Sequence, residues 1–178
     1  MQPVTSDALR PMATAADAAL VTELHESHGA ALFDFARHLG LSDEQAADAL
    51  QETLLRLWRE LQRGTSIESP LGYAYRTCYR LAMAQHRWRR QLGRLLPRLA
   101  PAPSAYAGPE AGPDRAAVWH AVDTLPPRQR HALYLHYAAD LSFAQVAEIL
   151  DISPSAARTH ASRGLATLRG ELTLEEIS

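Results

Sequence analysis

Between Ser155 and Arg163 the chain carries Ser155, Arg158, Thr159, His160, Ser162 and Arg163, all able to donate hydrogen bonds to phosphates or base edges. A second set lies in YAYRTCYRLAMAQHRWRRQLGRLL. There Tyr73, Tyr75, Tyr79, His86 and Trp88 are interleaved with Arg76, Arg80, Arg87, Arg89 and Arg90. Aromatics and arginines on one helix suit phosphate contact combined with base stacking, as in single-strand binders. The same pattern fits a helix whose aromatics are core and whose arginines are solvated. A third set lies in DALQETLLRLWRE, where Asp48, Glu52, Arg56 and Arg59 recur at spacings that favour ion pairs on an exposed helix face. A plainly solvated face has the same signature. None of the three sets is catalytic in type. No HExxH or CxxC motif, phosphate-cradling Gly-rich loop or GxSxG elbow is present, so an enzyme is not expected. His25 with His28, and His131 with His136, are expected as ordinary helix residues, and neither a metal nor a cofactor is implied.

The elements that must position these sets are helical, with no strand pattern and no internal repeat. Ser142 can cap a short helix whose apolar residues Phe143, Val146, Ala147, Ile149 and Leu150 share a face. Asp151-Ile152-Ser153 breaks the period, and Ser153 with Pro154 can start a second helix. Helix, short turn and helix is the helix-turn-helix plan, with Asp151 where many such turns have Gly, and Ala147 and Ala157 small where the helices cross. An ordinary helical hairpin in a core fits this stretch as well. Upstream, Ala18 to about Leu39 reads as an amphipathic helix on Leu20, Leu24, Leu32, Phe33 and Ala36, with Gly29 as a candidate break and Gly40 as a C-cap. SDEQ at Ser42–Gln45 is a capping box that opens a helix to Leu61. The aromatic and arginine-rich helix follows Gly64 and Pro70.

Residues 97–113 hold five prolines and two glycines, which makes them an extended linker. The expectation is an all-α chain of two small helical domains: a flexible leader 1–17, a first domain 18–96, the linker, a helix-turn-helix domain 114–172 and a tail 173–178. The second domain opens with a helix from about Asp114 to Asp123; after the Leu125-Pro126-Pro127 break comes another, RQRHALYLHYAAD.

The net charge of −2 over 178 residues hides a strong asymmetry. Residues 1–55 hold nine acids and two arginines, residues 56–98 ten arginines and two acids, and residues 99–178 six arginines and nine acids. The middle is a basic island in an acidic chain. An apolar content of 47% excludes global disorder, and no apolar run reaches membrane-spanning length. The start lacks a signal-peptide pattern, and the single cysteine, Cys78, excludes an internal disulfide; the expected compartment is the cytoplasm.

With both halves in view, residues 18–172 resemble the extracytoplasmic-function (ECF) sigma factors, the small bacterial sigma type with regions 2 and 4 only. Asp48, Gln51, Glu52, Leu54, Arg56, Leu57 and Trp58 match the region 2 pattern D-x-x-Q-[ED]-x-[FL]-x-[RK]-[LA]-[WY]. Leu125, Pro126, Arg130, Val146-Ala147, Leu150, Ile152 and Ser153 match the region 4 run from L-P-x-x-x-R to E-I-A-x-x-L-x-[IV]-S. The resemblance implies a transcription initiation factor that directs core RNA polymerase to promoters. In it, Asp48, Gln51, Glu52, Arg56 and Trp58 dock on the β′ clamp helices. Tyr75, Arg76, Arg80, His86, Arg87, Arg89 and Arg90 face the −10 element. Ser155, Arg158, Thr159, His160, Ser162 and Arg163 enter the −35 major groove, and region 4 packs on the β flap. Promoter DNA and an anti-sigma factor are the further expected partners. This chain departs from the family where DNA is touched: the Trp, Asn and Asp of the family's W-L-Y-R-I-A-R-N-x-x-x-D run are Tyr73, Arg80 and Ala84, and its T-V-K-S-R is Ala156 to His160. A sigma-like interaction protein that binds an anti-sigma factor or polymerase with little promoter readout is therefore the alternative. A DNA-binding regulator that works without polymerase is a third, opposed by the DALQETLLRLWRE helix.

Overall fold

The computed structural model describes residues 15–95 and 121–175, with side chains over 15–92 and 121–170. Every regular element among them is helical. The first helix, α1, runs Ala15–His38, without a break at Gly29. Gly29 is buried, and a mid-helix glycine costs only about 1 kcal/mol, less than the packing of the turns on either side provides. Leu24, Leu32, Phe35 and Ala36 form the buried stripe, with Phe35 rather than Phe33 fully enclosed.

A left-handed Gly40 (φ +86°) ends α1. The Gly40 amide donates to the Arg37 carbonyl at 2.7 Å and the Leu41 amide to the Ala36 carbonyl at 3.3 Å, the double closure of a Schellman cap. Two residues later the Ser42 hydroxyl accepts from the Gln45 amide (3.3 Å) while the Gln45 side chain accepts from the Ser42 amide (3.1 Å). This capping box starts α2, Asp43–Gln62. The third helix, α3, covers Pro70–Leu95. Ser69 caps it by accepting from the Gly72 amide at 3.1 Å.

Residues 121–124 are helical. Next come α4, Pro127–Leu133, and a five-residue π-helical turn, Tyr134–Ala138, where the sequence suggests one unbroken helix. The wider turn lets the Leu141 amide reach back to the Leu135 carbonyl (3.0 Å) through a left-handed Asp140. Helices α5, Phe143–Leu150, and α6, Pro154–Glu175, follow. Asp151 takes the left-handed conformation that the sequence demands of it (φ 55°, ψ 54°). Ser142 caps α5 in a second capping box with Gln145, and the Ser153 hydroxyl accepts from the Ala156 amide at 3.2 Å to start α6. Ala147 and Ala157 are both buried, as a close crossing requires. Gly164 has the same duty against α4: a Cβ there would stand 2.7 Å from Leu133 Cδ1. The 97–113 linker lies outside the described residues, as does the leader before Ala15, where α1 begins.

The two halves share one continuous core. Tyr134 from the π turn enters the first half. Its ring sits 5.3 Å from that of Phe35, and its hydroxyl donates to the Ala31 carbonyl at 2.9 Å. His38 Nδ1 lies 3.4 Å from Asp123 Oδ1, and His131 meets Tyr79 edge-on. Farther along the seam, Gln145 Nε2 donates to Ser69 Oγ at 3.5 Å, and Arg76 stands 4.0 Å from Glu148.

Candidate nucleic-acid and polymerase interfaces

The face of α2 is open. Asp48, Gln51 and Arg56 are exposed, with Glu52 and Trp58 half-buried beside them. Arg56 Nε donates to Glu52 Oε1 at 2.7 Å, one helical turn apart. That hydrogen bond holds the Glu52 carboxyl below its ordinary pKa. Leu55, 42% exposed, occupies the same strip as Gln51 and Trp58, at offsets of three and four residues. Sequence reading overlooks Leu55 because it lies off the apolar stripe of Ala46, Ala49, Thr53 and Leu57, all buried. That mismatch, an apolar residue on the polar side of an amphipathic helix, is the signal by which the sequence could have singled it out.

Helix α3 distributes its aromatic and basic residues unevenly. Tyr75 is only 1% exposed and packs edge-on against Phe35, with ring centroids 5.2 Å apart. Burial pushes its phenol pKa upward, and pushes the Cys78 thiol up to about 12. His86 turns inward, its Nε2 donating to the Leu39 carbonyl at 2.6 Å beside Gly40. Arg89 donates to Gln45 Oε1 at 2.5 Å, tying α3 to the capping box of α2. Arg80, Arg87 and Arg90 are exposed, Arg90 bracing its Nε on the His86 carbonyl at 3.3 Å. Between them Trp88 is 59% exposed, an indole held in water on a basic face. Arg76 faces the second half of the chain through Glu148 of α5, as Tyr79 does through His131.

Helix α6 presents its set outward. Ser155, Arg158, Thr159, Ser162 and Arg163 are exposed and His160 half-buried. The offsets of three and four from Ser155 through Arg158 and Thr159 to Ser162 and Arg163 put them on one side of the helix. Thr159 Oγ1 donates to the Ser155 carbonyl (2.8 Å), and Ser155 Oγ shares a hydrogen bond with Ser153 Oγ (2.9 Å). The Arg158 guanidinium lies over the ring of Phe143, 5.4 Å from its centroid. Among the described residues no group of three or more His, Cys, Asp or Glu is placed to hold a metal ion, and no helix is long and apolar enough to cross a membrane.

Comparison with known families assigns the two halves separately. The pattern described as sigma-70 region 2 matches residues 24–92, and that described as sigma-70, region 4 matches residues 115–168. The chain belongs to the ECF branch of the sigma-70 family. It is a transcription initiation factor by that membership. The ECF RNA polymerase sigma factor SigL of Mycobacterium tuberculosis is 28% identical over 169 residues, 93% of this chain and 94% of SigL. Two solved structures share the fold. The sigma factor RpoE of Bartonella quintana, in complex with the anti-sigma factor NepR, superposes with a TM-score of 0.70 at 22% identity, over 87% of this chain and 97% of that one. CnrH, in complex with the cytosolic domain of CnrY, superposes with a TM-score of 0.62 at 21% identity, over 88% and 90%. In this sigma factor, therefore, α1–α3 are region 2, α4–α6 are region 4, and the contacts of Arg76 and Ser69 with α5 run between the two regions.

Proposed function

We propose that this sigma factor docks on core RNA polymerase through the open face of α2 and reads promoters with the outward faces of α3 and α6. The observation that carries the reading is the α2 strip, where Asp48, Gln51, Leu55 and Trp58 surround the Glu52–Arg56 pair. Rigid, exposed charge around a partly exposed apolar centre is what a docking helix offers a protein partner. Arg76, Arg80, Arg87 and Arg90, with Trp88, contact the −10 strand and its phosphates. Tyr75, His86 and Arg89 support that face from behind. Arg158, Thr159, Ser162 and Arg163, with Ser155 and His160 at the margin, contact the −35 duplex. Because Arg76 and the 65–69 loop face α5, regions 2 and 4 must separate before the −10 surface is fully used. An anti-sigma factor is a further partner, since RpoE, a fold neighbour that superposes with this chain over nearly its whole length, was solved in complex with one. The protein acts in the cytoplasm, with no catalytic step, metal or cofactor of its own.

The test is capture of core polymerase from purified components, followed by run-off transcription on genomic fragments. Wild-type protein should bind core and initiate, and Asp48→Ala/Gln51→Ala should lose both. Core binding without any promoter-selective transcript would instead support the interaction-protein reading, and absence of core binding would contradict the docking role of α2.

A further inference from the structure

We infer that Phe143, at the start of α5, is a positioning residue for promoter readout: with His136 it forms a ring platform that sets the Arg158 guanidinium for one base of the −35 element. The inference rests on the assignment of Arg158 to the −35 duplex. Three observations converge. The rings of Phe143 and His136 are stacked, with centroids 3.9 Å apart and planes 27° apart. His136 is itself fixed, its Nδ1 within 2.8 Å of the Leu141 carbonyl, so the platform is anchored to backbone. Arg158 then lies over Phe143, while no hydrogen bond or ion pair holds its guanidinium among the described residues.

The π turn is what makes the stack. It carries His136 and returns the chain through Asp140 and Leu141 to Phe143, seven residues on. An α-helical continuation would carry His136 onward along the helix axis instead of turning it back over the N-terminus of α5. Phe143 itself is the first residue of α5, held by the Ser142 cap. The ring is half-buried and Arg158 exposed, so one side of the pair is rigid and the other faces solvent.

An exposed arginine otherwise samples many rotamers, and fixing it costs conformational entropy when DNA binds. A ring beneath the guanidinium restricts the plane of the fork before binding. The fork is what a base edge selects, whereas a phosphate accepts a cation from many directions. Loss of the platform should therefore reduce base preference at one position more than it reduces overall affinity. An exposed cation–π contact corresponds to a change of about two- to fivefold.

The experiment is selection of duplex variants randomised across the −35 element by polymerase holoenzyme carrying wild type, Phe143→Leu, Phe143→Tyr, Arg158→Ala or the double variant Phe143→Leu/Arg158→Ala. Phe143→Leu keeps the apolar contact and removes the π face. Thermal melting of each variant verifies the fold, and Phe143→Tyr, which keeps the ring, supplies the comparison if Phe143→Leu melts early. Arg158→Ala should flatten one position; Phe143→Leu should weaken preference at that same position by about two- to fivefold. Phe143→Tyr should retain it, and the double variant should look like Arg158→Ala alone. A Phe143→Leu profile identical to wild type, or weakened evenly across all positions, would overturn the platform while leaving the Arg158 assignment intact. An unchanged Arg158→Ala profile would overturn that assignment and the platform with it.

Discussion

Helices α3 and α6 carry similar chemistry and use it in opposite ways. On α3 much of the set works inside the protein: Tyr75 fills the core, His86 and Arg89 fasten the helix to the α1–α2 turn, and Arg76 faces Glu148. On α6 five of six polar candidates stand in solvent, and their internal hydrogen bonds are local. The number of arginines on a helix does not measure how many can meet a phosphate. The proposed −35 face of α6 is presented in the closed chain, whereas part of the proposed −10 face of α3 is committed to holding region 2 together and part to the seam with region 4.

The largest expected effect probes Tyr75. Its replacement by Ala should cost about 3–5 kcal/mol of stability, as truncation of a buried aromatic does, read as a lower urea midpoint. If Tyr75→Ala left stability unchanged but abolished promoter opening, the ring would belong to the DNA-facing set and the contrast with α6 would narrow. The second effect concerns the seam and its pH dependence. Burial, reinforced by Arg130, His86 and His38, lowers the His131 pKa to about 3. The neutral imidazole is kept in the folded chain while the unfolded chain takes up a proton near the ordinary histidine value. Stability from this site is thus fully present above about pH 6.5 and falls by up to about 1.4 kcal/mol per pH step as pH drops toward 3. Urea midpoints at about pH 7.5 and 5.5 should differ in that sense, and His131→Asn should flatten the difference; an equal slope in the variant would assign it to another group.

Much of this fold was legible in the sequence because it is built from local signals. The serine caps at Ser42, Ser142 and Ser153, Gly40, Asp151 and the two small crossing alanines each announce a backbone geometry through the residue type alone. The availability of the site was less legible. Whether Arg89 meets a phosphate or Gln45 depends on a residue 44 positions away, and no helical period encodes that. The π turn was likewise hidden, since HALYLHYAA reads as ordinary helix until Tyr134 is required in the core of region 2. Leu55 sat in plain view on the polar side of α2, and Phe143 at the start of α5, where its ring packs on the core yet stays partly open to solvent.

Smaller effects refine the contrast. Ser153→Ala should remove the cap of α6 and lower stability by about 1 kcal/mol, with a matching rise in amide exchange at its first turn. No change there would mean that α6 is held by packing alone. Smallest of all, Glu148→Arg replaces a long, largely exposed attraction to Arg76 with a repulsion, worth at most about 1 kcal/mol. It should leave the melting temperature near wild type and raise single-stranded DNA binding by the free protein about twofold; weaker binding would mean that the seam does not limit access to α3.

The most direct measurement of the central claim is a cross-link across the seam. Ser69→Cys and Gln145→Cys, whose native side chains meet at 3.5 Å, can be joined by a short bismaleimide, while Cys78 is buried and out of its reach. The linked chain should still bind core polymerase through α2 but fail in run-off transcription, and each single-cysteine variant treated alike should initiate normally. Full initiation by the linked chain would contradict the requirement that regions 2 and 4 separate before the promoter is read.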